Sequence, residues 1–182
     1  MTAEGETTRT GPVLLFTGEG KGKTTAALGL TLRLAGHGRK VLVVQFAKGD
    51  METGERRALE KLAEPVTLVP LGKGWLDLEA HPRRPEDLRQ LRESWQEALR
   101  LIETGDYDAV VLDEIVFVVS AGFLPAEDVL GFLDAKPAEM TVVLTGRGDV
   151  PEFVKRADYV TVMHNVKHPF DQGAKPAPGI EY

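Results

Sequence analysis

The chain has 182 residues, 42% of them hydrophobic and 27% charged, with a formal net charge of −6 at pH 7 and no cysteine. That length packs one domain well and two poorly, and the acidic balance argues against broad nucleic-acid binding, which needs a basic footprint. Without cysteine, disulfides, thiolate nucleophiles and sulfur-based zinc sites are excluded, and no run approaches the ~20 apolar residues of a membrane span, so the expectation is a cytoplasmic protein that binds neither membrane nor nucleic acid.

Residues 1–11 are polar and threonine-rich with no apolar centre, unlike a secretory signal. They are expected to form a flexible arm ahead of a single domain spanning 12–182. Short runs rich in valine and leucine then alternate with helical patterns, as in a parallel sheet covered on both faces. The strands expected are Val13–Thr17, Lys40–Phe46, Val66–Leu71, Ala109–Glu114, Thr141–Thr145 and Tyr159–Met163. A helix from Lys23 to Ala35 repeats Ala27, Leu30 and Leu34, and Gly36-His37-Gly38 stops it. A longer helix runs from Pro85 to Glu103 with Leu88, Leu91, Trp95, Ala98, Leu99 and Ile102 on one face. A shorter one covers Ala126–Asp134, with Leu130 and Leu133 toward the sheet. The segments Lys48–Glu64 and Lys73–Arg84 mix charge, glycine and proline and read as mobile loops. The fold class is therefore α/β: a single-domain P-loop fold of the RecA-like kind, with about six mostly parallel strands flanked by helices.

The first strand leads directly into Thr17-Gly18-Glu19-Gly20-Lys21-Gly22-Lys23-Thr24-Thr25. A glycine-rich turn between a buried strand and a helix lets consecutive N–H groups converge, and the helix N-terminus adds positive potential; together they cradle phosphate. Lys21 and Lys23 add charge, and the hydroxyl of Thr24 or Thr25 can reach a Mg²⁺ bridging phosphate oxygens. Gly22-Lys23-Thr24 fits the end of G-x-x-x-x-G-K-[ST], but Thr17 stands at its first glycine and Gly18 comes one residue late. The departure points to a loop of different shape, in which ordinary phosphoryl transfer is not to be assumed.

Val110-Val111-Leu112-Asp113-Glu114 is an apolar strand ending in two carboxylates, the pattern that holds or orients the Mg²⁺ of a bound triphosphate. Side chains alternate along a strand, so the two should project to opposite sides, with one of them serving the metal. Open parallel sheets bind ligands beyond the carboxyl ends of their strands. Thr17, Gln45, Asp113-Glu114 and Thr145-Gly146-Arg147 all stand at such ends and should converge. Arg147 reads as a residue that meets a phosphate or stabilises a leaving group, or as a plain surface arginine after a strand, and Arg33 as one that reaches a ribose or caps a helix face. Ser94 and Ser120 lack a histidine in triad context. His164 and His168 lie before Pro169, where a helical metal pair is a poor reading.

The joint pattern resembles the ATP:corrinoid adenosyltransferases of the bacterial cobalamin pathway, the CobA/CobO/BtuR type. It is carried in order by Gly18 to Ala27, Gly36-His37-Gly38, Val44-Gln45-Phe46-Ala47-Lys48-Gly49, Val111-Leu112-Asp113-Glu114, Leu144-Thr145-Gly146-Arg147, Val166-Lys167-His168-Pro169-Phe170-Asp171-Gln172-Gly173 and Gly179-Ile180-Glu181-Tyr182. The resemblance implies that a reduced Co(I) corrinoid attacks the ribose 5′ carbon of ATP and that tripolyphosphate leaves. It also implies a loop that holds the phosphates in reversed orientation, with Lys23, Thr24 and Glu114 serving the reaction and Thr24 and Glu114 binding Mg²⁺. It further implies nucleotide contacts from Arg33 and Arg147, and Trp75 against the corrinoid where the family displaces cobalt's lower ligand. Lys73 stands where an enterobacterial relative has phenylalanine. A homodimer and a reductant or flavoprotein partner belong to the same picture. The alternatives are a conventional P-loop ATPase or kinase, in which Glu114 polarises water or a hydroxyl, and a nucleotide-binding regulatory module.

Overall fold

A computed structural model describes residues 10–47, 49, 52–62, 65–72, 84–173 and 175–180. Trp75, Lys73 and most of the arm lie outside the described residues. Six strands form one parallel sheet: β1 (Val13–Thr17), β2 (Val41–Gln45), β3 (Val66–Pro70), β4 (Ala109–Asp113), β5 (Thr141–Thr145) and β6 (Tyr159–Val162), in the spatial order β3-β2-β4-β5-β1-β6. Each lies within about one residue of its expected bounds; for β1, β2, β4 and β5 the reason is that a strand buried in the sheet is a nearly continuous apolar run, legible in isolation. The helices are α1 (Lys23–Gly36), α2 (Gly54–Leu62), α3 (Pro85–Thr104), α4 (Ile115–Ser120), α5 (Ala126–Ala135) and α6 (Pro151–Arg156), with a 3₁₀ turn at Pro169–Gln172.

Alternation along the strands divides the interior into two cores. Val13, Leu15, Leu42, Val44, Val110, Leu112, Val142 and Leu144 face α3, α4, α5 and α6, while Val41, Val43, Val111 and Val143, with Leu14 and Phe16, face α1 and α2. On the first face Trp95 pins α3 to the sheet, tilted on Phe46 with ring centroids 6.3 Å apart and edge-on to Phe132 at 6.0 Å. Ser94, one residue earlier, donates its hydroxyl to Leu71 O at 2.8 Å. On α5 Leu133 is buried as expected and Leu130 packs against the core, with Val129 buried beside them.

Two expectations are corrected. The stretch read as a mobile loop between residues 48 and 64 contains α2, whose first turn carries Glu55 and whose buried contribution is Leu59; its charged residues form the solvent face of an amphipathic helix. β4 ends at Asp113, not Glu114, with a consequence for the site.

The connection from β1 crosses by α1 on one face, whereas those leaving β4 and β5 cross by α4, α5 and α6 on the other. The chain therefore parts between these strands at their carboxyl ends, the position at which open α/β sheets form a ligand crevice.

Candidate functional site

The phosphate-loop segment occupies that crevice. Gly18 and Gly22 adopt left-handed backbone, with φ of 96° and 112°, and Gly22 caps α1. The floor beneath the loop is the chain just past β6: the Gly20 N–H donates to Met163 O at 2.7 Å. A Cβ on Gly18 would lie 2.5 Å from Met163 O, and one on Gly20 2.7 Å from the His164 carbonyl. Only glycine allows this approach. The ladder of α1 begins with the Ala26 N–H, donated to Gly22 O, so the N–H groups at the start of the helix face the loop.

Lys23 is 6% exposed and turns back over the loop, donating from Nζ to Gly18 O at 2.7 Å and to Gly20 O at 2.8 Å. Burial lowers its pKa from the ordinary lysine value; the charges of Glu114, Arg147, Glu19 and Asp113 act on it in that order of size, only Arg147 adding to the lowering. The carboxylates of Asp113 and Glu114 and the Arg147 guanidinium are thus electrostatic neighbours of the loop lysine. Glu19, Lys21, Thr25 and Arg147 are exposed around it.

Behind Lys23 the strand ends meet. Thr24 Oγ1 donates to Asp113 Oδ1 at 2.8 Å, Thr145 Oγ1 donates to the same oxygen at 2.7 Å, and Gln45 Nε2 donates to Asp113 Oδ2 at 3.2 Å. Asp113, Gln45 and Thr145 are all buried. The polar strand ends converge as expected, and register explains it: Gln45 lies opposite Asp113 and Leu112 opposite Leu144. Glu114 departs from expectation. It has left the strand in a left-handed conformation, φ 66° and ψ 14°, as the cap of α4, so strand alternation does not govern it and both carboxylates reach the neighbourhood of Lys23.

Other expected residues fall elsewhere. Arg33 lies exposed in the last turn of α1, ten residues and about 15 Å of helical rise beyond Lys23, so the structure does not bring it to the loop. His168 Nδ1 accepts the Phe170 N–H at 3.1 Å and caps the 3₁₀ turn. Sequence reasoning missed Met163 and His164 as the floor of the loop. The contact is made by backbone there, and two glycines that cannot accept a Cβ are its only signal.

Among the described residues no cluster of three or more His, Cys, Asp or Glu side chains is placed to cage a metal. The donors present are one hydroxyl and two carboxylates, which fits Mg²⁺: it keeps several waters and takes most of its remaining ligands from phosphate oxygens. Because Thr24 gives its single hydrogen to Asp113, its lone pairs remain available on the loop side.

A glycine-rich loop under a buried lysine, a threonine paired with a carboxylate two strands away, and a strand interposed between them define a P-loop nucleotide-binding protein. A likeness supports the fold alone: a KaiC-like protein from Pyrococcus horikoshii superposes with a TM-score of 0.58 at 15% identity, over 87% of this chain and 75% of that one. Sequence comparison goes further. Residues 9–182 match the ATP:corrinoid adenosyltransferase BtuR/CobO/CobP family, and the chain belongs to that family. It is 42% identical over 172 residues to a corrinoid adenosyltransferase of Escherichia coli K12, covering 94% of this chain and 86% of that protein. It is 40% identical, with the same coverage, to the corrinoid adenosyltransferase CobA of Salmonella typhimurium, and 36% identical over 181 residues to one from Sinorhizobium. The protein is an enzyme of corrinoid adenosylation that uses ATP.

Proposed function

We propose that the chain transfers the 5′-deoxyadenosyl group of ATP to the cobalt of a reduced Co(I) corrinoid and releases tripolyphosphate. The electron pair of Co(I) forms the cobalt–carbon bond, the C5′–O bond breaks, and the departing oxygen takes its electrons into the phosphate chain. The observation that carries this reading is the composition of the site in a chain of this family: every group converging on the loop serves an anion or a cation, and the nucleophile is left to the substrate.

In this reading the loop from Gly18 to Thr25 and the Lys23 ammonium hold the phosphates, and Arg147 reaches them from the end of β5. Thr24 and Glu114 hold Mg²⁺, with Asp113 orienting the Thr24 hydroxyl. When bound, the metal neutralises charge developing on the leaving tripolyphosphate. The protein's work is placement: the fixed loop sets where C5′ lies and so which atom the cobalt can approach. Trp75 belongs to the corrinoid side of the same reading. A cytoplasmic homodimer, supplied with electrons by a reductant or flavoprotein that keeps cobalt reduced, completes it; no described helix is long and apolar enough to cross a membrane.

The deciding experiment is anaerobic incubation with ATP, Mg²⁺ and a prereduced corrinoid. An adenosylated corrinoid spectrum with one tripolyphosphate per product is expected. Release of ADP and phosphate without corrinoid would overturn the reading in favour of an ordinary ATPase.

A further inference from the structure

Thr145 closes β5 with no exposed surface, and its hydroxyl is used twice. The hydrogen goes to Asp113 Oδ1 at 2.7 Å, and the oxygen accepts the Glu114 N–H at 3.0 Å. β5 is the strand interposed between the loop strand and the carboxylate strand, so one side chain from a third element touches both acidic residues in succession. We propose that Thr145 is a positioning residue for the metal-binding end of the site. It fixes the carboxylate oxygen that receives the Thr24 hydroxyl, and it holds the left-handed backbone at position 114 from which the Glu114 side chain departs. The inference rests on the magnesium-nucleotide reading of this site and deepens it.

Two arguments support the assignment. Asp113 Oδ1 receives two hydroxyl hydrogens, from Thr24 and Thr145, and hydroxyl-to-carboxylate bonds are among the stronger hydrogen bonds. Where Oδ1 points therefore decides where Thr24 presents its lone pairs, and Thr145 holds Oδ1 from β5, the strand between the loop strand and β4. Secondly, a residue leaving a strand loses its ladder partner, and Glu114 does so in a conformation that disfavours any residue with a Cβ. The Thr145 oxygen accepts the N–H at that bend and ties it to the anchored end of β5.

The test compares Thr145→Val, which keeps the shape and removes the hydroxyl, with Thr145→Ser, which keeps the hydroxyl. ATP affinity is measured by calorimetry with Mg²⁺ and with EDTA, and Mn²⁺ binding in the presence of ATP by electron paramagnetic resonance. For Thr145→Val the metal-dependent gain in ATP affinity should fall roughly ten-fold or more, with metal-free affinity changed less than about two-fold, and Thr145→Ser should restore the gain. Equal loss with and without metal, or no loss, would overturn the proposal. Should Thr145→Val fail to fold, Thr145→Ala carries the same comparison: a reduced metal-dependent gain supports the assignment and an unchanged one removes it. Wild-type protein whose ATP affinity ignores Mg²⁺ would overturn both this inference and the magnesium reading. Wild-type protein that shows the gain yet forms no adenosylated corrinoid defeats only the transfer reaction, and the Val–Ser contrast then still decides the role of Thr145.

Discussion

The two flanks of β1 serve the phosphate loop in opposite ways. On the β5 and β4 side the loop meets side chains: Asp113, Thr145 and Gln45, buried and joined by hydrogen bonds. On the β6 side it meets mostly backbone, the Met163 carbonyl and the chain at His164, with Val162 Cγ1 and Met163 Sδ within reach of a Cβ at Gly18 and Gly22, while Tyr159 and Val162 of β6 are 60% and 49% exposed. One flank therefore supplies chemistry that is specific to residue type, and the other supplies shape that is nearly indifferent to it.

The contrast sharpens under substitution. Lys23→Ala removes the ammonium shared by the loop and the phosphates, and kcat/KM for ATP should fall about 10²- to 10³-fold at an unchanged fold; steady-state kinetics with circular dichroism checks both halves. Glu114→Gln should weaken the Mg²⁺ titration of the reaction roughly ten-fold or more, and an unshifted midpoint would break the assignment of that flank. On the other flank, Gly20→Ala should weaken ATP binding roughly ten-fold and cost about 1–3 kcal/mol in denaturant unfolding. His164→Ala, which leaves the backbone in place, should do neither. Equal damage from both would mean that the β6 flank also works through a side chain.

Smaller effects follow from protonation and from the exposed edge. The Lys23 pKa is lowered by burial, so the folded protein gives up that proton at a lower pH than the unfolded chain does. Between the lowered value and 10.5 the unfolded state binds more protons, and stability contributed by this group rises with pH while loop charge is lost. ATP affinity measured by calorimetry should accordingly begin to fall below pH 10.5, and Lys23→Arg should flatten that slope. Val162→Thr, on the open strand, should shift unfolding by less than about 0.5 kcal/mol.

Much of this was legible in the sequence because it is local. β-branched runs mark buried strands, Pro85 and Gly105 bracket α3, and the loop announces itself by glycines beside lysine and threonine. Convergence of the strand ends was also legible, since parallel register brings every carboxyl end to one edge. What stayed hidden depends on distant partners. Glu114 reads as one more strand residue, and the bend there is tied to Thr145, 31 positions away. α2 shows one buried side chain among its described residues, Leu59, and its many charges and neighbouring glycines read as a loop when taken by composition. The floor under Gly18 and Gly20 is made by peptide groups, which every residue carries alike. Arg33 is read from its place on the helix after the loop and from the family resemblance, and it stands exposed in the last turn of α1.

Position 114 has a last consequence. Its backbone geometry suits glycine or asparagine, and an ordinary side chain there costs roughly 1–2 kcal/mol, yet the chain carries a glutamate. On the proposed metal-binding role of Glu114, heat resistance and turnover pull this codon in different directions. A library screened only for survival on heating should drift toward glycine at that site, and its sturdiest members would be poor catalysts.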